Sequence, residues 1–280
     1  MGVRYQEGEA VSVTGNKLFT ASYIPDGEAP AALLVLHHGL AEHIGRYRPF
    51  AEALASRGIA VYLHDAYGHG KSEGERAFFE GMDSFVADFI ARRKAAVAEL
   101  SGAFPGAEIP VFIGGHSMGG LITVLATEAD QQGLAGSLVL SPALGIPPSF
   151  SNSVQLAVGS VLVHVAPRMT LPAVDPAGLN KDPALIKEYI DDPLNTGMRQ
   201  ANAKASTIKV PLYVHHGDVD TITYEPATRK FVEAATACSD KTYTAIPGGY
   251  HEVLLGPEKV TTTEAMADWI LERSASRAKL

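Results

Sequence analysis

Two hydrophobic patterns alternate along this chain. Short, almost unbroken apolar runs occupy residues 31–36, 59–63, 111–113 and 137–140. Such runs predict strands covered on both faces, as in a mostly parallel sheet. Between them apolar residues return at helical spacing. Phe50, Ala53 and Leu54 mark a helix over 47–56, and Phe85, Val86, Phe89, Ile90, Val97 and Leu100 mark a long one from Met82. A further helix is expected over 121–129. Val11, Val13 and residues 17–24 predict a hairpin turned by Thr14-Gly15-Asn16, and the glycine-rich stretch 66–81 predicts a loop.

From 143 to 208 the strand signal stops. Short helical patches are separated by Pro147, Pro148, Pro167, Pro172, Pro176, Pro183 and Pro193. The alternation resumes with a strand over 210–215, a helix over 225–237, a strand over 242–246 and a helix over 262–274. The expected architecture is α/β: a mostly parallel sheet covered by helices on both faces, with core segments 1–142 and 209–280 and an inserted helical cap, or lid, over 143–208.

Composition narrows the classes. A chain of 280 residues with 46% hydrophobic and 19% charged residues suits one soluble domain with an insertion. The net charge of -8 argues against nucleic acid, whose phosphates need a basic face. A single cysteine, Cys238, excludes an internal disulfide and fits a reducing compartment. The N-terminus lacks the apolar core of a secretory signal, and no apolar run reaches membrane-spanning length. The expected location is cytoplasmic. Ala278-Lys279-Leu280 resembles a peroxisomal address with Ala for Ser and supplies the alternative.

Gly115-x-Ser117-x-Gly119 lies between the run at 111–113 and an apolar helix. Glycines on both sides of a serine let a strand turn sharply into a helix and lift the hydroxyl above the sheet. The plainer alternative is a turn whose Ser caps the helix. A serine nucleophile needs a base, and the base needs a group that fixes its tautomer. His164, His215, His216 and His251 follow Ser117. His164 falls in the proposed cap, and His215 and His216 precede any acid that could serve them. That leaves His251, after the last strand. The acid is expected in Gly217-Asp218-Val219-Asp220, where Asp220 is preferred and Asp218 reads as a turn former. Asp191 and Asp240 are worse placed. The oxyanion donors are expected to be the N–H groups of Met118 and of Leu40, the latter after the first long strand.

Blocks along nearly the whole chain bear a resemblance. His38-Gly39-Leu40-Ala41-Glu42-His43, Gly45-Arg46-Tyr47, Asp65-x-x-Gly68-His69-Gly70, Gly115-His116-Ser117-Met118-Gly119-Gly120, Asp192-Pro193-Leu194, Gly217-x-x-Asp220 and Tyr250-His251 stand in the order found in monoacylglycerol lipases. The chain resembles that branch of the serine hydrolases with the α/β-hydrolase fold. The resemblance implies an acyl-enzyme on Ser117, with Asp220 and His251 as partners and Leu40 and Met118 as oxyanion donors. It implies hydrolysis of fatty esters, monoacylglycerols first and lysophospholipids or broad carboxylesters second. Perhydrolase chemistry and a non-catalytic receptor are the remaining readings. Gly39, Glu42, Arg46 and, in the cap, Tyr189 are the implied substrate-binding residues, while Asp65 and His69 match residues that support the site loops. Two positions depart from the animal enzymes: Leu254 stands where they carry a second histidine and Thr223 where they carry a cysteine.

The apolar segment 154–163 is a candidate lid that covers an acyl channel and touches a membrane or micelle. No cofactor is called for. Gly70-Lys71-Ser72 lacks the earlier glycine of a phosphate loop, the glycines at 68, 70 and 74 miss dinucleotide spacing, and no H-E-x-x-H metal motif is present. The expected partner is a lipid ester; the sequence does not set an oligomeric state.

Overall fold

Eight strands form one sheet in the order β1-β2-β4-β3-β5-β6-β7-β8 in the computed structural model, which describes residues 2–76, 81–145, 178–192 and 205–277. The strands are β1 (Val3–Val11), β2 (Lys17–Pro25), β3 (Ala32–His37), β4 (Ile59–His64), β5 (Val111–His116), β6 (Leu134–Leu140), β7 (Leu212–Gly217) and β8 (Lys241–Ile246). β1 and β2 run antiparallel to their neighbours, and every pair from β4 to β8 is parallel. The helices are α1 (Arg48–Ser56), α2 (Met82–Ala103), α3 (Met118–Ala129), α4 (Pro183–Asp191), α5 (Glu225–Ala234) and α6 (Lys259–Arg277).

Successive strand residues face opposite sides, so each apolar run feeds two cores. Leu34, Leu36, Val61 and Leu63 pack with Phe50 and Leu54 of α1 and with Met266, Trp269 and Ile270 of α6. Leu33, Val35, Ala60 and Tyr62 pack on the other face with Phe85 and Phe89 of α2 and Ile122 of α3. Phe231 of α5 closes a third cluster over Val139, Leu212 and Val214. The unbroken runs thus fall on strands buried at nearly every position, as two covered faces require.

The sequence and the structure differ at three strand starts. β1 begins at Val3, eight residues before the expected hairpin arm, and most of its side chains are exposed. β6 begins at Leu134, three residues early. Gly136 falls inside it because a side chain there would strike the Trp269 ring at 2.6 Å. β7 begins two residues late, after Pro211, which lacks the N–H that a strand interior needs.

The chain leaves β6 at Leu140 and returns to its neighbour β7, Leu140 pairing with His215. Within the proposed cap, 143–208, the described residues include α4, whose first turn is capped by Asp182 accepting from Ala184 N–H at 2.9 Å. The rest of the cap, including the lid segment 154–163, lies outside the described residues, as do Ala278-Lys279-Leu280 and the side chain of Tyr189. Among the described residues no helix is long and apolar enough to cross a membrane.

Candidate active site

The parallel strands end in one row. His37 pairs with Gly115, His116 with Leu140, and His215 with both Leu140 and Thr244. Loops leaving this carboxyl edge therefore converge, the usual place for a site in a parallel sheet.

Ser117 sits where β5 turns into α3, at φ 55° and ψ -116°. A non-glycine residue rarely accepts a left-handed φ, and strain of this kind costs about 1–3 kcal/mol. Its side chain makes no capping hydrogen bond to the helix, so helix capping does not explain the serine. The turn is held by Ser117 N–H donating to Leu140 O at 3.0 Å and Ala143 N–H donating to Ser117 O at 3.0 Å. Both flanking glycines are sterically required. A Cβ on Gly115 would lie 2.2 Å from Gly119 O, and one on Gly119 would lie 2.2 Å from His37 O. Those obstacles are backbone atoms and cannot swing aside. Gly119→Ala is expected to cost roughly 3 kcal/mol or more, read as a lower urea midpoint. The control is Gly102→Ala in α2, where an added Cβ meets nothing within 4 Å and stability should hold or rise.

Asp220 follows β7, and His251 follows β8. His251 Nδ1–H donates to Asp220 Oδ2 at 2.8 Å, and both side chains are almost fully buried. Asp220 Oδ1 accepts the backbone N–H groups of Ile222 at 2.8 Å and Thr223 at 2.9 Å. Oδ2 also accepts the Thr223 hydroxyl at 2.7 Å. Burial alone would raise this acid, but the neighbouring His251 and the hydrogen bonds from His216 and His251 outweigh it and keep Asp220 ionised. Asp218 is spent elsewhere, accepting from Gly248 N–H at 2.6 Å.

His116, next to Ser117, links this pair to the serine. Its ring lies 4.7 Å from that of His251, and its Nε2–H donates to the His251 carbonyl at 3.0 Å. Its Nδ1 lies 3.0 Å from the Tyr47 hydroxyl. Burial opposes a charge on His116, yet the Glu42 carboxylate beside it raises its pKa above the ordinary value.

The loop after β3 completes the arrangement. A Cβ on Gly39 would lie 2.4 Å from Glu42 Oε1 and 3.3 Å from Ser117 Cβ, so this loop passes directly over the serine. Gly39 N–H donates to Glu42 Oε1 at 2.6 Å, and Ala41 takes φ 64°, turning the loop sharply. Among the described residues, the Leu40 and Met118 N–H groups have no protein acceptor. Met118 is the first residue of α3, where backbone donors and the helix dipole favour an anion.

Glu42 is buried at that loop, and Arg46 beside it is half-buried. Glu42 Oε1 accepts the Tyr47 hydroxyl at 2.6 Å, and Oε2 meets Arg46 Nη1 at 2.6 Å. Arg46 reaches on to Glu252, beside His251, at 2.7 and 3.1 Å. The loop after β3 and the loop after β8 are thereby joined through one guanidinium. Burial would push Glu42 up, but the His116 hydrogen bond and the Arg46 charge hold it well below the usual carboxylate range. Asp65 braces the same loop, accepting Ile44 N–H at 2.8 Å and Lys71 N–H at 2.7 Å.

A strained serine over a helix start, a carboxylate-bound imidazole and two open N–H groups form the layout of a serine hydrolase. The sequence profile described as serine aminopeptidase, S33, matches residues 28–258. The chain belongs to this family. It is similar to the monoacylglycerol lipase of Mycolicibacterium smegmatis, 32% identical over 95% of this chain and 96% of that one. It is also similar to the monoglyceride lipase of Homo sapiens, 30% identical over 95% of this chain and 90% of that one. Among solved structures, the Paleococcus ferrophilus monoacylglycerol lipase aligns with a TM-score of 0.71 and 27% identity, covering 98% of this chain and all of that one. Its fold is the α/β-hydrolase fold, mostly parallel and covered on both faces by helices.

Two participants escaped the sequence. Glu252 has no motif of its own, and its partner Arg46 lies 206 residues away. His216 precedes in the chain any acid expected to serve it, yet its Nε2 lies 3.1 Å from Asp220 Oδ2. The Gly217 turn brings an i,i+4 pair together across a strand end, a proximity that spacing rules for helices do not signal.

Proposed function

We propose that this chain hydrolyses carboxylic esters of fatty acids, monoacylglycerols first, through an acyl-enzyme on Ser117. The single observation that carries the reading is the 2.8 Å hydrogen bond from His251 to an ionised Asp220, with its imidazole beside the residue preceding a strained serine. His251 Nε2 takes the Ser117 proton as Oγ bonds to the ester carbon. The tetrahedral oxyanion is held by Leu40 and Met118 N–H, each donor worth roughly 2.7–4 kcal/mol. The carbon–oxygen bond to glycerol then breaks, and the departing alkoxide takes the proton from His251. Water then gives a proton to His251 as its oxygen bonds to the acyl carbon; the bond from that carbon to Ser117 Oγ breaks, Oγ takes the proton back from His251, and the fatty acid leaves.

The substrate class is supported by the monoacylglycerol lipases to which the chain is similar. Gly39, Glu42, Arg46 and Tyr189 are proposed for the polar end of the substrate. The cap is proposed to contact a micelle or membrane. The compartment is proposed as cytoplasmic, with a peroxisomal location as the other outcome of imaging the tagged chain.

The test is a rate panel. Monoacylglycerols of eight to eighteen carbons, matching lysophosphatidylcholines, and an amino-acid p-nitroanilide as the peptidase control are compared at equal concentration. The expected order places monoacylglycerols first and the anilide last. A higher kcat/KM on lysophospholipids or the anilide would overturn the substrate assignment.

A further inference from the structure

Asp220 serves two imidazoles. His216, fully buried at the end of β7, places Nε2 3.1 Å from Asp220 Oδ2, the oxygen that also accepts from His251. A carboxylate held ionised has no proton to give, so the His216 nitrogen facing it must carry one. The other ring nitrogen, Nδ1, lies 2.8 Å from the Thr228 hydroxyl of α5, which then donates to it. Thr223 sits between the two rings. Its hydroxyl donates to Asp220 Oδ2, while its oxygen lies 3.2 Å from His216 Nε2 and 3.3 Å from His251 Nδ1. The carboxylate thus sets the tautomer of His216, and the Thr228 hydroxyl of α5 answers it by donating to Nδ1.

We propose that His216 is a positioning residue for the reaction, a second imidazole whose Nε2–H lies against Asp220 Oδ2 and the Thr223 hydroxyl bound to it, fixing the acid and drawing off part of its charge. The role rests on the reading of Ser117, His251 and Asp220 as the reacting set. It has a chemical consequence for the base. A carboxylate that shares its charge with His216 and Thr223 stabilises the His251 imidazolium less than it otherwise would. Removing the His216 donor concentrates that charge on His251 and strengthens its hold on a proton. The groups facing His251 are Asp220 and Thr223 from the loop after β7, His216 from β7, and His116 from β5. Behind His116 lie Glu42 and Arg46, and Arg46 also pairs with Glu252, next to His251 in the chain. Only the His216 contribution changes in the variants below.

The experiment compares His216→Leu and His216→Gln with the wild-type chain, following a p-nitrophenyl ester from pH 5 to 9. The Leu variant is expected to lose kcat about tenfold with KM unchanged. The acidic limb of its kcat/KM profile should move up by roughly half a pH unit or more. The Gln variant, which keeps an N–H donor, should restore the wild-type limb and most of the rate. A purely structural role would lower the yield of active sites, counted by phosphonate titration, without moving the limb. An unmoved limb in the Leu variant overturns the proposal. Should that variant not fold, nitrogen NMR of the wild-type chain decides: His216 protonated at Nε2 supports it, and protonation at Nδ1 alone overturns it. A wild-type chain that neither turns over ester nor takes the phosphonate overturns the reaction itself, a separate result.

Discussion

Ser117→Ala is expected to fold normally and to lose ester turnover by roughly four to six orders of magnitude. Removing the nucleophile of a serine hydrolase leaves only what binding and the oxyanion donors supply. The hydroxyl holds little of the structure, because Ser117 makes its fold-defining bonds through the backbone, to Leu140 and Ala143. Melting temperature should therefore stay close to wild type in the Ala variant. Ser117→Gly should also be inactive yet melt higher, since glycine takes φ 55° without strain. Inactivity combined with raised stability is the signature of strain kept for chemistry. An Ala variant that hydrolyses ester within tenfold of wild type would remove Ser117 from the mechanism.

A second large effect is expected in acid. His37, His38 and His215 are driven by burial down to a pKa of about 3, His69 to about 4, and His64 well below its ordinary value. The bonds explain why they resist charge. His38 Nε2 accepts from Ala66 N–H at 2.9 Å, a bond that protonation would destroy. Among the described residues, both nitrogens of His64 and of His215 lie buried with no partner. The sign follows from linkage. Above the unfolded pKa, near 6.5, these rings are neutral in both states and contribute nothing. Below it the unfolded chain binds protons that the folded chain refuses, so stability falls until the folded pKa is reached. Each ring contributes about 1.4 kcal/mol per pH unit in that window. Lowered rings outnumber the single raised one, His116, whose effect runs the opposite way. By pH 5 the combined loss is comparable with the roughly 5–15 kcal/mol that stabilises a typical domain. Melting temperature should be flat above pH 7 and drop steeply between pH 6.5 and 5. His64→Leu should soften that drop. A melting temperature constant from pH 7.5 to 5 would contradict the assignment of these rings as neutral.

Buried strands are legible because two covered faces demand unbroken apolar runs, and four of the six parallel strands read that way. β1 was not, since an edge strand with exposed Glu7 and Glu9 carries no apolar alternation. The geometry around Ser117 was legible for a steric reason: only glycine fits at 115 and 119, so the turn writes itself into the sequence. Asp220 and His251 could be located by chain order, because each follows a late strand. The supporting groups could not. Glu252 and His216 contact residues that the fold, not the local pattern, brings near. His116 carries no signal apart from its motif, yet it touches both the loop after β8 and the loop after β3.

The family resemblance and the site geometry meet at one chemical claim, that Ser117 accepts an acyl group. Mass spectrometry of the intact chain after exposure to an alkyl fluorophosphonate tests it most directly, followed by peptide mapping. One adduct per chain is expected, on the peptide containing Ser117, with ester turnover lost in proportion and no adduct on the Ser117→Ala chain. An adduct on any other residue, or full ester hydrolysis by a chain modified at Ser117, would contradict it.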